Sequence, residues 1–134
     1  MNDPRSSVVW RWLAAGDDGE LDSFDDLLHP EAVVHAPRGL ATTSCEDEKA
    51  VWKKAREAIP DLRHDVREVV VDGDLEMARV VVTGTMRQSF GGVEATGRPF
   101  RIDQAVIAHL RGGKIIEAWE IADLTALEAR LEGG

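Results

Sequence analysis

Four histidines, one cysteine and 25 acidic residues are the chemically capable side chains of this chain, and tyrosine is absent. Gln104 stands out among the polar candidates. From Phe100 to Leu110 one strand face would carry Ile102, Gln104, Val106, Ala108 and Leu110. The other would carry Arg101, Asp103, Ala105, Ile107 and His109. Side chains alternate sides along a strand, and the first face is the more apolar, so it is predicted to look inward. Gln104 then becomes an inward amide, able to meet a substrate carbonyl or to be satisfied by backbone. On the last strand Ile116, Ala118 and Glu120 alternate with Ile115, Glu117, Trp119 and Ile121, and periodicity does not choose between the two sets. Trp12, Trp52, Met86 and Phe90 can floor an aromatic ligand's pocket or simply fill a core. His29, before Pro30, is expected to cap a helix end, and His64, at a charged strand start, to be exposed. Cys45 falls in the first turn of a helix, which can lower a thiol pKa, but with no second catalytic partner in view it is expected to be inert.

Other chemistries find little support. Asp72-Gly73-Asp74 and Asp17-Asp18 hold two acids each, fewer than a calcium loop needs. No histidine pair has ligand spacing, and a single cysteine cannot build a zinc site, so no metal is expected. Gly91-Gly92 and Gly112-Gly113 lack a following helix start that would receive phosphate. Sixteen basic against 25 acidic residues give a net charge of −9, which argues against nucleic acid and against an anionic membrane surface. No apolar run is long enough for a membrane span, and the N-terminus has no signal-peptide core. A reducing, cytoplasmic setting is expected.

The elements that must position these residues are readable from periodicity. Val8, Val9, Trp12 and Leu13 share one face of a helix over Ser6 to Ala15, with Gly16-Asp17-Asp18-Gly19 as its predicted break. Leu21, Phe24, Leu27 and Leu28 recur at helical spacing, and His29-Pro30 should end that short helix. Ala32 to Ala36 is a strand candidate. Thr43-Ser44-Cys45-Glu46 reads as a capping box opening a helix with Val51, Trp52, Ala55, Ala58 and Ile59 on one stripe, running to Pro60. From residue 62 the period becomes strand-like: Arg63 to Val71, a turn at Asp72-Gly73-Asp74, Met77 to Phe90, Phe100 to Leu110, a turn at Gly112-Gly113, and Lys114 to Ile121. A closing helix over Leu124 to Leu131 follows, with Asp123 as its N-cap. With 43% hydrophobic residues and 134 positions, the chain suits one domain, 1–134. Helices first and antiparallel strands later spell α+β, a curved sheet around helices that leaves a pocket between them.

Several stretches, taken in order and spacing, carry a family resemblance. They are Ala14-Ala15-Gly16-Asp17-Asp18-Gly19-Glu20-Leu21-Asp22 through Leu28-His29-Pro30-Glu31-Ala32-Val33; Ile59-Pro60-Asp61-Leu62 followed by a strand and Asp72-Gly73-Asp74; and Gly84-Thr85 in a long strand. Thr96-Gly97-Arg98-Pro99-Phe100 and Arg111-Gly112-Gly113-Lys114-Ile115-Ile116-Glu117-Ala118-Trp119-Glu120 complete the set. Together they resemble the SnoaL-like polyketide cyclases, within the nuclear-transport-factor-2-like fold that also includes ketosteroid isomerase, scytalone dehydratase and limonene epoxide hydrolase. The resemblance implies a cone-shaped, strongly curved, mostly antiparallel sheet wrapped around the N-terminal helices. It also implies a homodimer formed through the outer sheet face, and a cofactor-free enzyme of secondary metabolism.

On this resemblance Glu120 matches the catalytic aspartate of the cyclases, a general acid/base for aldol closure, here one methylene longer. Gln104 and His35 are the expected catalytic partners, His35 matching a position where relatives hold a pocket-facing histidine. Trp12, Trp52, Met86, Phe90 and Val106 are the expected substrate contacts. Val106 stands where the cyclases often have an assisting histidine, and Met86-Arg87 replaces another. The absence of tyrosine excludes a ketosteroid-isomerase oxyanion hole, which pairs a tyrosine with a protonated aspartate. Enolate stabilisation then falls to Gln104, His35, the indoles of Trp12 or Trp52, or backbone N–H groups. An epoxide-hydrolase set of Arg101, Asp103 and Glu120 is disfavoured, because parity puts Asp103 opposite Gln104. The leading expectation is a polyketide (aldol) cyclase. A related isomerase, dehydratase (lyase) or epoxide hydrolase, or a non-catalytic binder of small hydrophobic ligands, is the alternative.

Overall fold

The computed structural model describes residues 3–123. The predicted closing helix over 124–131 lies outside the described residues. Helix α1 (Val8–Asp18) is opened by Ser7, whose side chain accepts the Trp10 N–H, and buries Val8, Val9, Trp12 and Leu13. It does not break at Gly16. Gly16 stays helical and buried, packed so closely under the ring of Trp52 that a Cβ there would strike it. The helix ends at Gly19, whose left-handed φ of 74° suits glycine and closes the cap.

A 3₁₀ turn (Leu21–Ser23) leads into α2 (Phe24–Leu27). Strand β1 (Leu28–His35) begins four residues before the expected one and runs through Pro30. It lies at one edge of the sheet, where a residue without an N–H is tolerated. His29 therefore caps no helix; its Nδ1 accepts the Glu31 N–H at 3.2 Å. Helix α3 (Cys45–Ala58) is capped by Ser44, which accepts the Asp47 N–H at 3.0 Å, one residue later than the capping box placed it.

Four long strands follow: β2 (Arg63–Asp72), β3 (Leu75–Thr85), β4 (Pro99–Arg111) and β5 (Lys114–Ala122). The sheet order is β1-β5-β4-β3-β2, antiparallel except for the parallel β1–β5 pair. Among the described residues three α-helices thus pack on a mixed, unclosed, five-stranded sheet, the α+β cone expected from the sequence. Gly112 and Gly113, at φ 60° and 80°, make the β4–β5 turn that needs two left-handed residues.

Strand β3 stops at Thr85 rather than Phe90. Asp61 captures the Thr85 N–H and hydroxyl at 2.7 and 2.9 Å. The Ala58 carbonyl takes the Arg87 N–H at 2.7 Å, which draws the chain out of the ladder toward α3. At the other end of β3 the buried Glu76 accepts the Ser7 hydroxyl at 2.7 Å and the Val8 and Val9 N–H groups, a carboxylate at the open donors of α1.

A register shift settles the facing of β5. His109 pairs with Glu117 but Leu110 pairs with Ile115, so Ile116 is an extra residue and parity changes there. Ile115 and Ala118 are both fully buried, and Glu120 and Ala122 continue the inward set. The core lies between this concave face and the three helices. Among the described residues no helix is long and apolar enough to cross a membrane.

Candidate functional site

Beside the packed core the concave face keeps a cavity of about 140 Å³, partly open to solvent. Apolar cavities near 150 Å³ take up a molecule the size of benzene. Trp52, Val51, Ala55 and Ile59 line it from α3, and Val82, Phe100 and Ile102 from the sheet. Leu40, Met86, Phe90 and Val93 close it from the loops after β1 and β3. Three titratable side chains interrupt this apolar wall: Glu48, His64 and Glu120. No lysine or arginine joins them among the described residues.

Glu120 sits on β5 across from Val106 of β4. It is half-buried and lines the cavity. Removal from water penalises its charged form, and the negative charge of Glu48 adds to this, so its pKa is pushed up to about 8. Glu48 projects from the first turns of α3 and is fully buried. It accepts the Thr42 hydroxyl at 2.9 Å and the Trp52 indole N–H at 3.1 Å. Burial raises its pKa to about 7 despite those two bonds, which favour the charged form. The two carboxyls titrate as a pair that holds protons at neutral pH.

Gln104 also lines the cavity, and its Oε1 is buried without a hydrogen-bond partner. Whichever way the amide is turned, one polar atom is left for a ligand to satisfy. His64 enters the cavity from the start of β2, with ring centroids 5.0 Å from Trp52. Asp17 of α1 bonds its Nδ1 at 2.8 Å and accepts its backbone N–H at 2.6 Å. His64 is therefore not the exposed residue that its charged surroundings suggested: its side chain is only 7% exposed.

The cavity gathers Glu120, Gln104, Trp52, Met86 and Phe90 of the expected site residues. It does not gather three others. His35 lies on the opposite face of the sheet, because β1 pairs it with Trp119 and both side chains point outward. It bonds Glu117 at 2.7 Å and stacks on Trp119 with centroids 5.1 Å apart. Trp12 and Val106 are fully buried in the core outside the cavity lining. The Trp12 indole N–H has no partner there, and the Trp52 indole is already bound to Glu48. Of the expected enolate-stabilising side chains, only Gln104 has a free polar group at the cavity.

Glu48, His64 and Asp17 were missed by sequence reasoning, although two carried signals. Glu48 is four residues before Trp52 and seven before Ala55, on the same apolar stripe of α3. His64 alternates with Leu62 and Val66, both packed against the core. Cys45 is buried, and burial pushes its thiol up to about 11, which leaves it an unreactive thiol. Its sulfur lies with Asp25 and Glu46 in a cluster whose donor atoms are within 4.8 Å of one another. The Lys49 ammonium already bridges the two acids at 2.9 Å each.

The SnoaL-like polyketide cyclase family matches residues 7–131. The chain belongs to that family. IdmH from Streptomyces antibioticus is 28% identical, with a TM-score of 0.80 over 98% of this chain and 100% of that one. TsrD from Streptomyces laurentii is 26% identical, with a TM-score of 0.84 over 98% of both chains. A SnoaL-like polyketide cyclase from Agrobacterium tumefaciens, 19% identical at a TM-score of 0.81 over 97% of this chain and 99% of that one, shares the fold. No curated protein sequence matches the chain.

Proposed function

We propose that this protein is a cofactor-free acid/base catalyst acting on a small hydrophobic carbonyl compound, with aldol cyclisation of a polyketide chain as the reaction that its family favours. The observation that carries this reading is the Glu120 carboxyl, held in an apolar cavity beside Glu48 with its pKa raised to about 8. A group poised near the working pH can both give and take a proton. The apolar walls receive the hydrocarbon part of the substrate, and the unpartnered amide of Gln104 orients its oxygen. Acetophenone, one aromatic ring bearing a ketone, suits the cavity as a probe. The wild-type protein in D₂O should exchange its methyl protons, followed by NMR, and Glu120→Gln should not. Equal exchange by the two proteins, or none by the wild type, would overturn the reading.

Val106, in the position where the cyclases often carry a histidine, favours the second reading: a protein that shelters a hydrophobic ligand. A bound aryl ketone recovered chemically unchanged, with no deuterium incorporated, would support it. The reading also includes a homodimer formed by the outer sheet face. There Val70, Met77, Ile107 and Trp119 stand in register across β2 to β5, with Val70 60% and Met77 43% exposed. Met77→Glu should shift the sedimentation coefficient from dimer to monomer.

A further inference from the structure

We propose that His64, held by Asp17, is the general base of this cavity, and that Glu120 works opposite it as the general acid. The inference rests on the acid/base reading above and deepens it by dividing the two roles. Three observations carry it. First, His64 lines the cavity although it comes from β2, the edge strand three places from the β5 of Glu120. Second, its Nδ1 is committed to Asp17 at 2.8 Å, and Asp17 is itself fixed by the His64 backbone N–H at 2.6 Å. Third, the ring is packed on Trp52, the same side chain whose indole N–H holds Glu48.

A carboxylate on Nδ1 selects the tautomer that carries its proton there, which leaves the Nε2 lone pair free to accept one. Both side chains of the dyad are only 7% exposed, so its geometry is set by protein rather than by solvent. The groups that bear on His64 are Asp17 of α1, Trp52 and Glu48 of α3, and Glu120 of β5. Arg56 of α3 donates to the Asp17 backbone carbonyl at 3.3 Å, which ties the end of α1 to α3 and steadies the dyad. Burial keeps Glu120 protonated at neutral pH, the form an acid needs, whereas a base needs a lone pair.

The proton balance closes without a further reactant. His64 Nε2 takes a proton from the carbon beside a carbonyl. The C–H electron pair forms the enolate, whose oxygen is held by a hydrogen bond from the Glu120 carboxyl, the interaction that acetophenone exchange reads, and whose carbon then bonds to a second carbonyl carbon. The π pair of that carbonyl moves to its oxygen, which takes the proton of Glu120. His64 leaves one proton richer and Glu120 one proton poorer, and exchange with water resets both. His64 thus serves as the histidine that Val106 displaces, reached from β2 instead of β4.

The test is acetophenone exchange in D₂O as a function of pH, for the wild type, Glu120→Gln, His64→Gln and Asp17→Asn. His64→Gln should lose about 100-fold or more in exchange rate. Asp17→Asn is expected to lose about 10- to 100-fold in kcat, with KM near that of the wild type. ¹⁵N NMR of the imidazoles should show the Nδ1–H tautomer for His64, and phenol, a neutral O–H donor that fits the cavity, should move its Nε2 resonance but not that of His35. This measurement stands even where His64→Gln fails to fold. Glu120→Gln inactive with His64→Gln fully active would overturn the proposal while sparing the acid/base reading. A wild type without exchange would overturn both. An Nε2–H tautomer, or an Nε2 resonance that phenol leaves unmoved, would overturn the proposal alone.

Discussion

Glu117 and Glu120 lie three residues apart on one strand, on opposite faces of one sheet. On the outer face Glu117 bonds His35 at 2.7 Å, with side chains 40% and 46% exposed. Water surrounds that pair and competes for every charge, so it is a surface contact of small worth. On the inner face Glu120 meets aliphatic and aromatic walls and a second carboxyl, and its proton is held to about pH 8. Each face also has its histidine: His35 against Trp119 outside, His64 against Trp52 inside. The residue types are the same. What differs is the number of water molecules that can reach them, and this separates a catalytic candidate from an ion pair.

That contrast can be broken or sharpened by experiment. The largest effect is expected from the two glutamates themselves. Glu120→Gln should lower acetophenone exchange by about 100-fold or more, as loss of a general acid/base does, whereas Glu117→Gln should stay within about twofold. A comparable loss in both would mean that the faces are not functionally distinct.

Next comes packing. A methyl at Gly16 would collide with the Trp52 ring behind the cavity. Gly16→Ala should therefore cost about 1–3 kcal/mol in denaturant unfolding, the usual range for overpacking. Val70→Ala on the outer face, where Val70 is 60% exposed, should change stability by less than about 0.5 kcal/mol.

The third effect is pH-dependent stability. Glu48 and Glu120 both have raised folded-state pKa values, so the folded protein binds more protons than the unfolded chain between about pH 4.5 and 8. Their contribution is fully present below the unfolded value and is lost as pH rises through about 7 and 8. Unfolding free energy should fall with pH by up to about 1.4 kcal/mol per unit for each carboxyl involved. Urea titrations at pH 5 to 9 should show this slope, and Glu120→Gln should flatten it. The smallest effect belongs outside again. His35→Gln should cost less than about 1 kcal/mol, and the difference should shrink in high salt.

Much of the fold was legible because its signals are local. The α3 stripe of Trp52, Ala55, Ala58 and Ile59 and the glycines of the two hairpins are written at fixed spacings. The alternation along β4 by itself places Gln104 inward. Boundaries went astray where a distant residue overruled local preference. Asp61 and the Ala58 carbonyl ended β3 early, and α1 ran on through Gly16, which packs under Trp52, to its cap at Gly19.

The sequence by itself determined the order of elements, the inward face of β4 and the absence of any tyrosine-built oxyanion hole. Each follows from residue type and spacing along the chain. Tertiary structure alone decided which acids and histidines share the cavity. The extra residue Ile116 turned Glu120 inward, and pairing with β5 sent His35 out. Folding brought Glu48 and His64 from α3 and β2 to the cavity that Glu120 faces. Desolvation and charge coupling depend on neighbours far apart in sequence, so no single residue carries them until the chain has folded.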